Sequence, residues 1–198
     1  MRCCRRLESI LLCLAVLFCV AFPVRAADIT ASSAQLVVSD DGYSLSANFA
    51  VTLNPRLEEA VNKGVILYFA ADFELSRSRW YWFDEKVVRR SRIFQLSYHA
   101  LTRQYRLSSG ALHQSFASLD EALRVLSRVR HWQVIEKGEV QTDSTYLASV
   151  RLRLDPSQMP KTFQVSALSN SAWSQSSEWL LWNFSPSDTG EPAAGDGQ

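Results

Sequence analysis

Apolar side chains recur at every second position in two long segments of this chain, and this period constrains the fold more than any other feature. The apolar positions are Tyr43, Leu45, Ala47, Phe49, Val51 and Leu53 in the first segment and Tyr146, Ala148, Val150, Leu152 and Leu154 in the second. Side chains of a β-strand point alternately to opposite faces, so a period of two predicts a strand with one buried and one solvated face. Both segments therefore predict strands of a sheet that covers a core.

Shorter apolar segments predict further strands, separated by polar turns that contain glycine or proline. They lie at residues 29–38, 65–75, 132–135, 162–167 and 179–184, with two or three more strands within residues 80–107. Strands this short and this numerous are typical of an all-β sandwich or barrel rather than of an alternating α/β fold.

Two short helices interrupt the strands. The first is predicted over residues 55–63, where Asn54 can cap the first turn. The second is predicted over residues 119–130, where Ser118 and Glu121 form a capping box before an amphipathic apolar stripe. The sequence therefore predicts a mainly β fold: an antiparallel β-sandwich of the immunoglobulin-like kind, with two short helical insertions.

The first 26 residues have the pattern of a secretion signal. Basic residues precede an apolar run of 13 residues from position 10 to position 22, and Ala26 supplies a small residue at the expected cleavage point. A membrane-spanning helix needs about 20 apolar residues. We therefore predict a cleaved signal peptide over residues 1–26 and a periplasmic protein. The alternative is an uncleaved segment that anchors the protein to the inner membrane.

The composition of residues 27–198 limits what the exported part can be. All 4 cysteines lie in the signal segment, so the rest can form no disulfide and must depend on its core. Of the 21 basic and 20 acidic side chains, 17 and 19 remain there, a balance that provides no field for nucleic acid. We predict a single β-sandwich domain over residues 27–184 and a disordered tail rich in glycine and proline over residues 185–198.

The segment between residues 77 and 92 is the best candidate for a binding surface. It combines Trp, Tyr and Arg, the side chains that are enriched at recognition hot spots. The candidate residues are Arg77, Arg79, Trp80, Tyr81, Trp82, Arg89, Arg90 and Arg92. The alternative is a strand buried on both faces, with its arginines forming a solvated edge that pairs with acids such as Asp84 and Glu85.

The sequence contains no recognisable catalytic or metal-binding constellation. His99, His113 and His131 are too widely spaced for a metal motif, and no cysteine remains to complete one. A Gly-x-Ser-x-Gly motif is absent, and the glycines are too isolated to form a phosphate-binding loop. We therefore predict no cofactor, no metal and no enzymatic activity, with a hydrolase as the enzymatic alternative.

Four features together resemble a bacterial exported family, domain of unknown function 4390. They are the aromatic–basic segment at residues 77–82, the run at residues 96–105, the helix at Leu119–Leu126 and the ending at residues 171–182. The resemblance covers essentially the whole chain after the signal. It implies an exported bacterial protein and no particular activity. Genes of the family often lie near a membrane sensor histidine kinase, which suggests a pathway rather than a chemistry.

These observations favour an interaction domain over an enzyme. We expect the domain to contact another envelope or inner-membrane protein, as an accessory to a membrane sensor or an envelope assembly. The contact would be a strand edge or the surface at residues 77–92. The alternative is an envelope module that binds glycan or lipid, since aromatic and arginine side chains also suit anionic sugars and headgroups.

Overall fold

The computed structural model describes residues 29–77, 85–161, 164, 173–186 and 193–194. The predicted signal segment lies outside these residues. Within them, no helix is both long enough and apolar enough to span a membrane.

The described residues form ten strands and two α-helices in two antiparallel sheets. The strands are β1 (Thr30–Ser39), β2 (Gly42–Ala50), β3 (Leu67–Arg77), β4 (Glu85–His99), β5 (Gln104–Ser109), β6 (Leu112–Phe116), β7 (Arg128–Glu136), β8 (Tyr146–Leu154), β9 (Leu180–Phe184) and β10 (Ala193–Ala194). The helices are α1 (Pro55–Asn62) and α2 (Leu119–Leu126). The small sheet has the order β10-β1-β2-β7, and the large sheet has the order β6-β5-β4-β3-β8-β9.

The two sheets enclose one hydrophobic core, as the period-two segments require. Alternate residues of β2 and β8 are buried in it, and β3 contributes the fully buried Phe69 and Phe73. Burial of a large apolar side chain contributes roughly 1.5–3 kcal/mol, and this chain has no disulfide to assist it after residue 26. The prediction of a mainly β, antiparallel sandwich with two helices is confirmed.

The strand order leaves one edge of the small sheet open. Strands β1, β2 and β7 face β9, β8, β3, β4 and β5. In a variable-type immunoglobulin domain, one sheet contains strands A, B and E, and the facing sheet contains strands G, F, C, C′ and C″, in the same order as here. Strand D of that domain lies beside strand E. Here β6, which follows β5 in the chain as D follows C″, pairs with β5 and not with β7. The immunoglobulin-like part of the fold stays a prediction, and β7 is an edge strand among the described residues.

Both helices begin as the sequence predicts. The Asn54 side chain accepts hydrogen bonds from the backbone N–H groups of Arg56 and Leu57, at 3.1 and 3.0 Å. The Ser118 hydroxyl accepts one from the N–H of Glu121 at 3.3 Å. Each cap satisfies donors that have no partner inside the helix.

Helix α2 ends four residues before the predicted position. It stops at Leu126, and residues from Arg128 onward belong to β7. The backbone N–H of Phe49 donates to the carbonyl of Ser127, which brings the chain into the small sheet there. The prediction failed because Val129 continues the helical spacing of the apolar stripe and is equally buried on a strand.

A second correction concerns the predicted strand at residues 162–167. Gln164 is helical, and its N–H donates to the carbonyl of Pro160 at 3.2 Å. Proline favours the first turn of a helix, which explains the difference. The other residues of that segment lie outside the described part of the chain.

Part of the predicted tail is also described. Ala193–Ala194 pair with β1, and the carbonyl of Pro186 accepts a hydrogen bond from the Tyr43 hydroxyl at 2.9 Å. The other tail residues, apart from Ser185, lie outside the described residues, so the disordered tail stays a prediction.

One edge of β4 is covered over only part of its length. This strand has 15 residues, and residues 85–96 pair with β3 on one side. On the other side β5 pairs only with Gln95–His99, because β5 ends at Ser109 and the chain turns into β6. No described strand covers that side of residues 85–94, and a groove opens beside them.

Candidate functional site

The predicted arginine cluster is mostly engaged in ion pairs. Arg77 lies 2.9 Å from Glu85, and Arg89 lies 2.8 Å from Glu74. Arg90 lies 2.7 Å from Glu139 in the loop that follows β7. These pairs correspond to the alternative in which the arginines form a paired, solvated edge. Exposed pairs of this kind contribute only about 0–1 kcal/mol to stability.

Arg92 differs from the other described arginines of β4. It stands opposite Ala71 of β3, whose side chain is buried, so Arg92 occupies an inward-facing position. Its guanidinium carbon lies 5.3 Å from the centre of the Trp132 ring, in cation–π geometry. Burial lowers the pKa of Arg92, yet a guanidinium keeps its charge at any physiological pH. No carboxylate of the described residues pairs with this charge.

Arg92 lies in a groove between the free side of β4, the β5–β6 turn, α2 and the first half of β7. The groove has a volume of about 700 Å³ and is open to solvent. Its buried surface comes from Leu107, Val129 and Trp132. Leu112 and Val125 form an apolar rim and are 76% and 40% exposed. We call this feature the arginine groove.

The arginine groove is positively charged and contains no acid among the described residues. Arg92, Arg128 and Arg130 line it, and its remaining lining is apolar, hydroxyl or amide. Arg130 is held by the backbone carbonyl of Ala47, at 2.9 Å, and by the Asn48 side chain. Arg128 is exposed and, like Arg92, has no acidic partner in the described part of the chain. None of the three arginines has an acidic partner among the described residues, and only Arg130 has its guanidinium held by hydrogen bonds there.

The bulge in β7 shapes one wall of the groove. His131 has a φ of 45°, a left-handed conformation that is uncommon for residues other than glycine. The register between β2 and β7 shifts between Leu45 and Ala47, so β7 carries one extra residue at this point. Bulges are over-represented at sheet edges and redirect side chains. Here the bulge separates Arg130, which faces β2, from Trp132, which lies under Arg92.

The sequence-predicted site is only partly described. Arg79, Trp80, Tyr81 and Trp82 lie outside the described residues. Of the remaining candidates, Arg92 alone lines the groove, while Arg77, Arg89 and Arg90 are paired elsewhere.

Sequence reasoning missed the partners of Arg92 in the groove. The predicted helix over residues 119–130 included Arg128 and Arg130, and Trp132 fell in the strand predicted at residues 132–135, to which no role was given. The alternation of Arg128, Arg130 and Trp132 with Val129 was the signal that could have placed them on a strand.

The described residues provide little for catalysis. No three of their His, Cys, Asp and Glu side chains converge on a point where they could bind a metal ion. His113 and Ser108 are hydrogen bonded at 2.7 Å across β5 and β6. No carboxylate among the described residues is seen to orient this histidine, so the pair lacks the third member of a hydrolase triad.

A family model named "Domain of unknown function (DUF4390)" matches residues 26–183 of the sequence. The chain belongs to the DUF4390 family. The match extends from before β1 into β9 of this DUF4390 protein, leaving β10 outside it, and confirms the resemblance seen in the sequence. Comparison with curated proteins found no match. Comparison with solved structures also found none.

Proposed function

We propose that this DUF4390 protein is an exported, non-enzymatic interaction domain of the bacterial cell envelope. Its partner would be a membrane-anchored envelope protein, as part of a sensor or an envelope assembly. The observation that carries the proposal is the arginine groove, in which Arg92 and Arg128 have no acidic partner among the described residues. A folded protein gains little from a half-buried charge that is left unpaired, so a partner that supplies the missing carboxylate fits this site.

The shape of the groove indicates the chemistry of that partner. Apolar side chains on the floor and rim favour an occupant with apolar groups of its own. The two free arginines favour carboxylates, which a guanidinium can bind with two parallel hydrogen bonds. An acidic and apolar segment of a protein satisfies both requirements.

Export is the second part of the proposal. It is supported by the signal-like pattern of residues 1–26 and by the absence of cysteine from residues 27–198. N-terminal sequencing of the protein isolated from cells would test it. A chain that begins at Ala27 is expected, whereas a chain that begins at Met1 would favour the inner-membrane anchor.

Anionic lipid is the second candidate ligand, because the same arginines and apolar rim would suit a phospholipid headgroup and its acyl chains. A binding measurement with two probes separates the candidates: a short blocked peptide of alternating glutamate and valine, and vesicles that contain an anionic phospholipid. We expect binding of the peptide, and loss of about tenfold in affinity on Arg92→Ala.

The matched control is Arg106→Ala, which removes an exposed arginine of β5 that does not line the groove. It should leave the affinity for the peptide unchanged. Binding of vesicles without binding of the peptide would replace the protein partner by a lipid. Equal losses in the two variants would show that the groove is not the site.

A further inference from the structure

The free side of β4 borders the arginine groove. Residues 85–94 pair with β3 but have no described strand on the other side, and Ser91, Arg92, Ile93 and Phe94 line the groove. The N–H and C=O groups that point away from β3 along an uncovered strand are available to pair with another chain. The pairing of β4 with β3 shifts register only near Val88 and Lys86, so the edge from Val88 to Phe94 is regular.

We infer that an extended segment of the partner adds to the large sheet as a strand beside residues 88–94 of β4. It would continue the position that β5 occupies beside Gln95–His99. This inference rests on the proposed function and specifies how the partner binds. An edge of seven residues is long enough for a typical added strand, which has about 5–6 residues.

The side chains around this edge define the sequence that the added strand would need. Along β4, Arg90, Arg92 and Phe94 face the inside of the sandwich, while Arg89 and Ser91 face outward. Side chains of an added strand also alternate, so every second one would enter the arginine groove. An acidic side chain opposite Arg92 would find an unpaired guanidinium, and an apolar one would find Leu112 and Val125.

The outward positions need less specificity. On that face the Ser91 hydroxyl already donates to Asp72 at 2.9 Å, and Arg89 pairs with Glu74. Main-chain hydrogen bonds would give affinity along the whole added strand. The inward-facing side chains of β4 and the groove would select acidic and apolar residues in that strand.

A second copy of this protein is a poor occupant for the same edge. Lys86 and Arg89 pair with Glu74, and Arg90 pairs with Glu139, so Arg92 is the charge of this edge without an acidic partner among the described residues. Residues 88–94 of a second copy contain no acid and would bring another Arg92 to the site, and like charges that meet across a sheet destabilise it. An acidic strand of a partner would bring a carboxylate to Arg92, so charge complementarity favours a different protein over a second copy of this one.

Hydrogen exchange of the whole protein, followed by mass spectrometry, tests the inference. The probe is the glutamate–valine peptide, and its control is the same peptide with N-methyl groups on alternate residues, which cannot donate main-chain hydrogen bonds from those positions. We expect the unmodified peptide to slow exchange within residues 88–94 and the methylated peptide to bind at least about tenfold more weakly.

Each other outcome overturns the inference in a distinguishable way. The peptide could bind in a way that depends on Arg92, leaves hydrogen exchange in β4 unchanged and tolerates the N-methyl groups. That result would refute strand addition but would keep the groove as the binding site. Absence of binding would remove both the inference and the proposed function. Protection of β4 in the peptide-free protein that rises with protein concentration would identify a second copy as the occupant.

Discussion

Neighbouring arginines of β4 have different surroundings, and this difference decides which of them can bind a partner. Arg89 is held by Glu74 and Arg90 by Glu139, whereas Arg92 contacts the Trp132 ring. The sequence predicted the cluster because charge and spacing are visible in it. It could not separate paired from unpaired arginines, since their partners are distant in the chain and are brought close by sheet register and by the loop after β7.

Replacing Arg92 by leucine should separate stability from binding. Leucine removes a half-buried charge without an acidic partner among the described residues, so we expect the free energy of unfolding to be unchanged or to rise. The affinity for the glutamate–valine peptide should fall by about tenfold. Urea unfolding and a binding titration on the same variant measure both quantities. A marked loss of stability would show that Arg92 serves the fold.

Asp72 neutralises two arginines on the outer face of the large sheet. Its carboxylate accepts hydrogen bonds from Arg151 at 3.1 Å, Arg153 at 2.8 Å and Ser91 at 2.9 Å. Burial alone would raise the pKa of Asp72, but the hydrogen bonds from Arg153 and Ser91 and the charge of Arg153 outweigh it, so the pKa lies below its ordinary value. The ionised carboxylate therefore stabilises the folded state.

Asp72→Asn should lower the free energy of unfolding at pH 7 by about 1–2 kcal/mol, since it removes the carboxylate shared by two partly exposed arginines and leaves Arg153 with Asp155 alone, at 3.4 Å. Because the pKa of Asp72 is lower in the folded protein than in the unfolded chain, where it is about 4, the ionised carboxylate stabilises the fold at any pH above that unfolded-state pKa. The contribution is lost as the pH falls through the folded-state pKa. The difference between wild type and variant should therefore shrink in acid. A difference that is the same at low pH would contradict this role.

At the scale of elements, the sequence predicts what depends on local pattern. Strands β2 and β8 follow from their period of two, and α1 follows from its Asn54 cap. The end of α2 was wrong because Val129 suits a helix and a strand equally. The uncovered edge of β4 could not be predicted, since it depends on β5 being shorter than its neighbour, and only the turn at Gly110 hints at that length.

Two glycines in turns provide a matched test of the packing between elements. Gly42, the first residue of β2 after the turn from β1, has a φ of +134°, and an added Cβ would lie 2.2 Å from the carbonyl oxygen of Ile135 on β7. Gly110 has a φ of +57° and open space around it. Gly110→Ala should cost about 1 kcal/mol of stability for its strained φ. Gly42→Ala should cost more than about 2 kcal/mol, because a clash with the backbone is added.

Thermal or urea unfolding of the two glycine variants measures this difference. Equal losses would show that β7 does not approach the β1–β2 turn as closely as the structure indicates.

At the scale of the whole molecule, one difference from the strand order of variable-type immunoglobulin domains connects the fold to the proposed function. Strand β6 continues the large sheet and leaves β7 at the edge of the small one. Together with the short β5, this opens the sandwich on one side and places Arg92 and Arg128 in the opening. The sequence indicated a sandwich with an available strand edge. Which edge is open depends on long-range pairing that local patterns do not encode.

Site-specific photocrosslinking in intact cells tests the central proposal most directly. A photoreactive residue at Leu112, which is 76% exposed on the rim of the groove, is compared with one at Leu181, which is 54% exposed on β9. The account predicts that Leu112 alone captures one envelope protein, through an acidic and apolar peptide identified by mass spectrometry, and that Arg92→Glu abolishes this capture. Capture of the same protein from both positions, or capture that persists in Arg92→Glu, would contradict it.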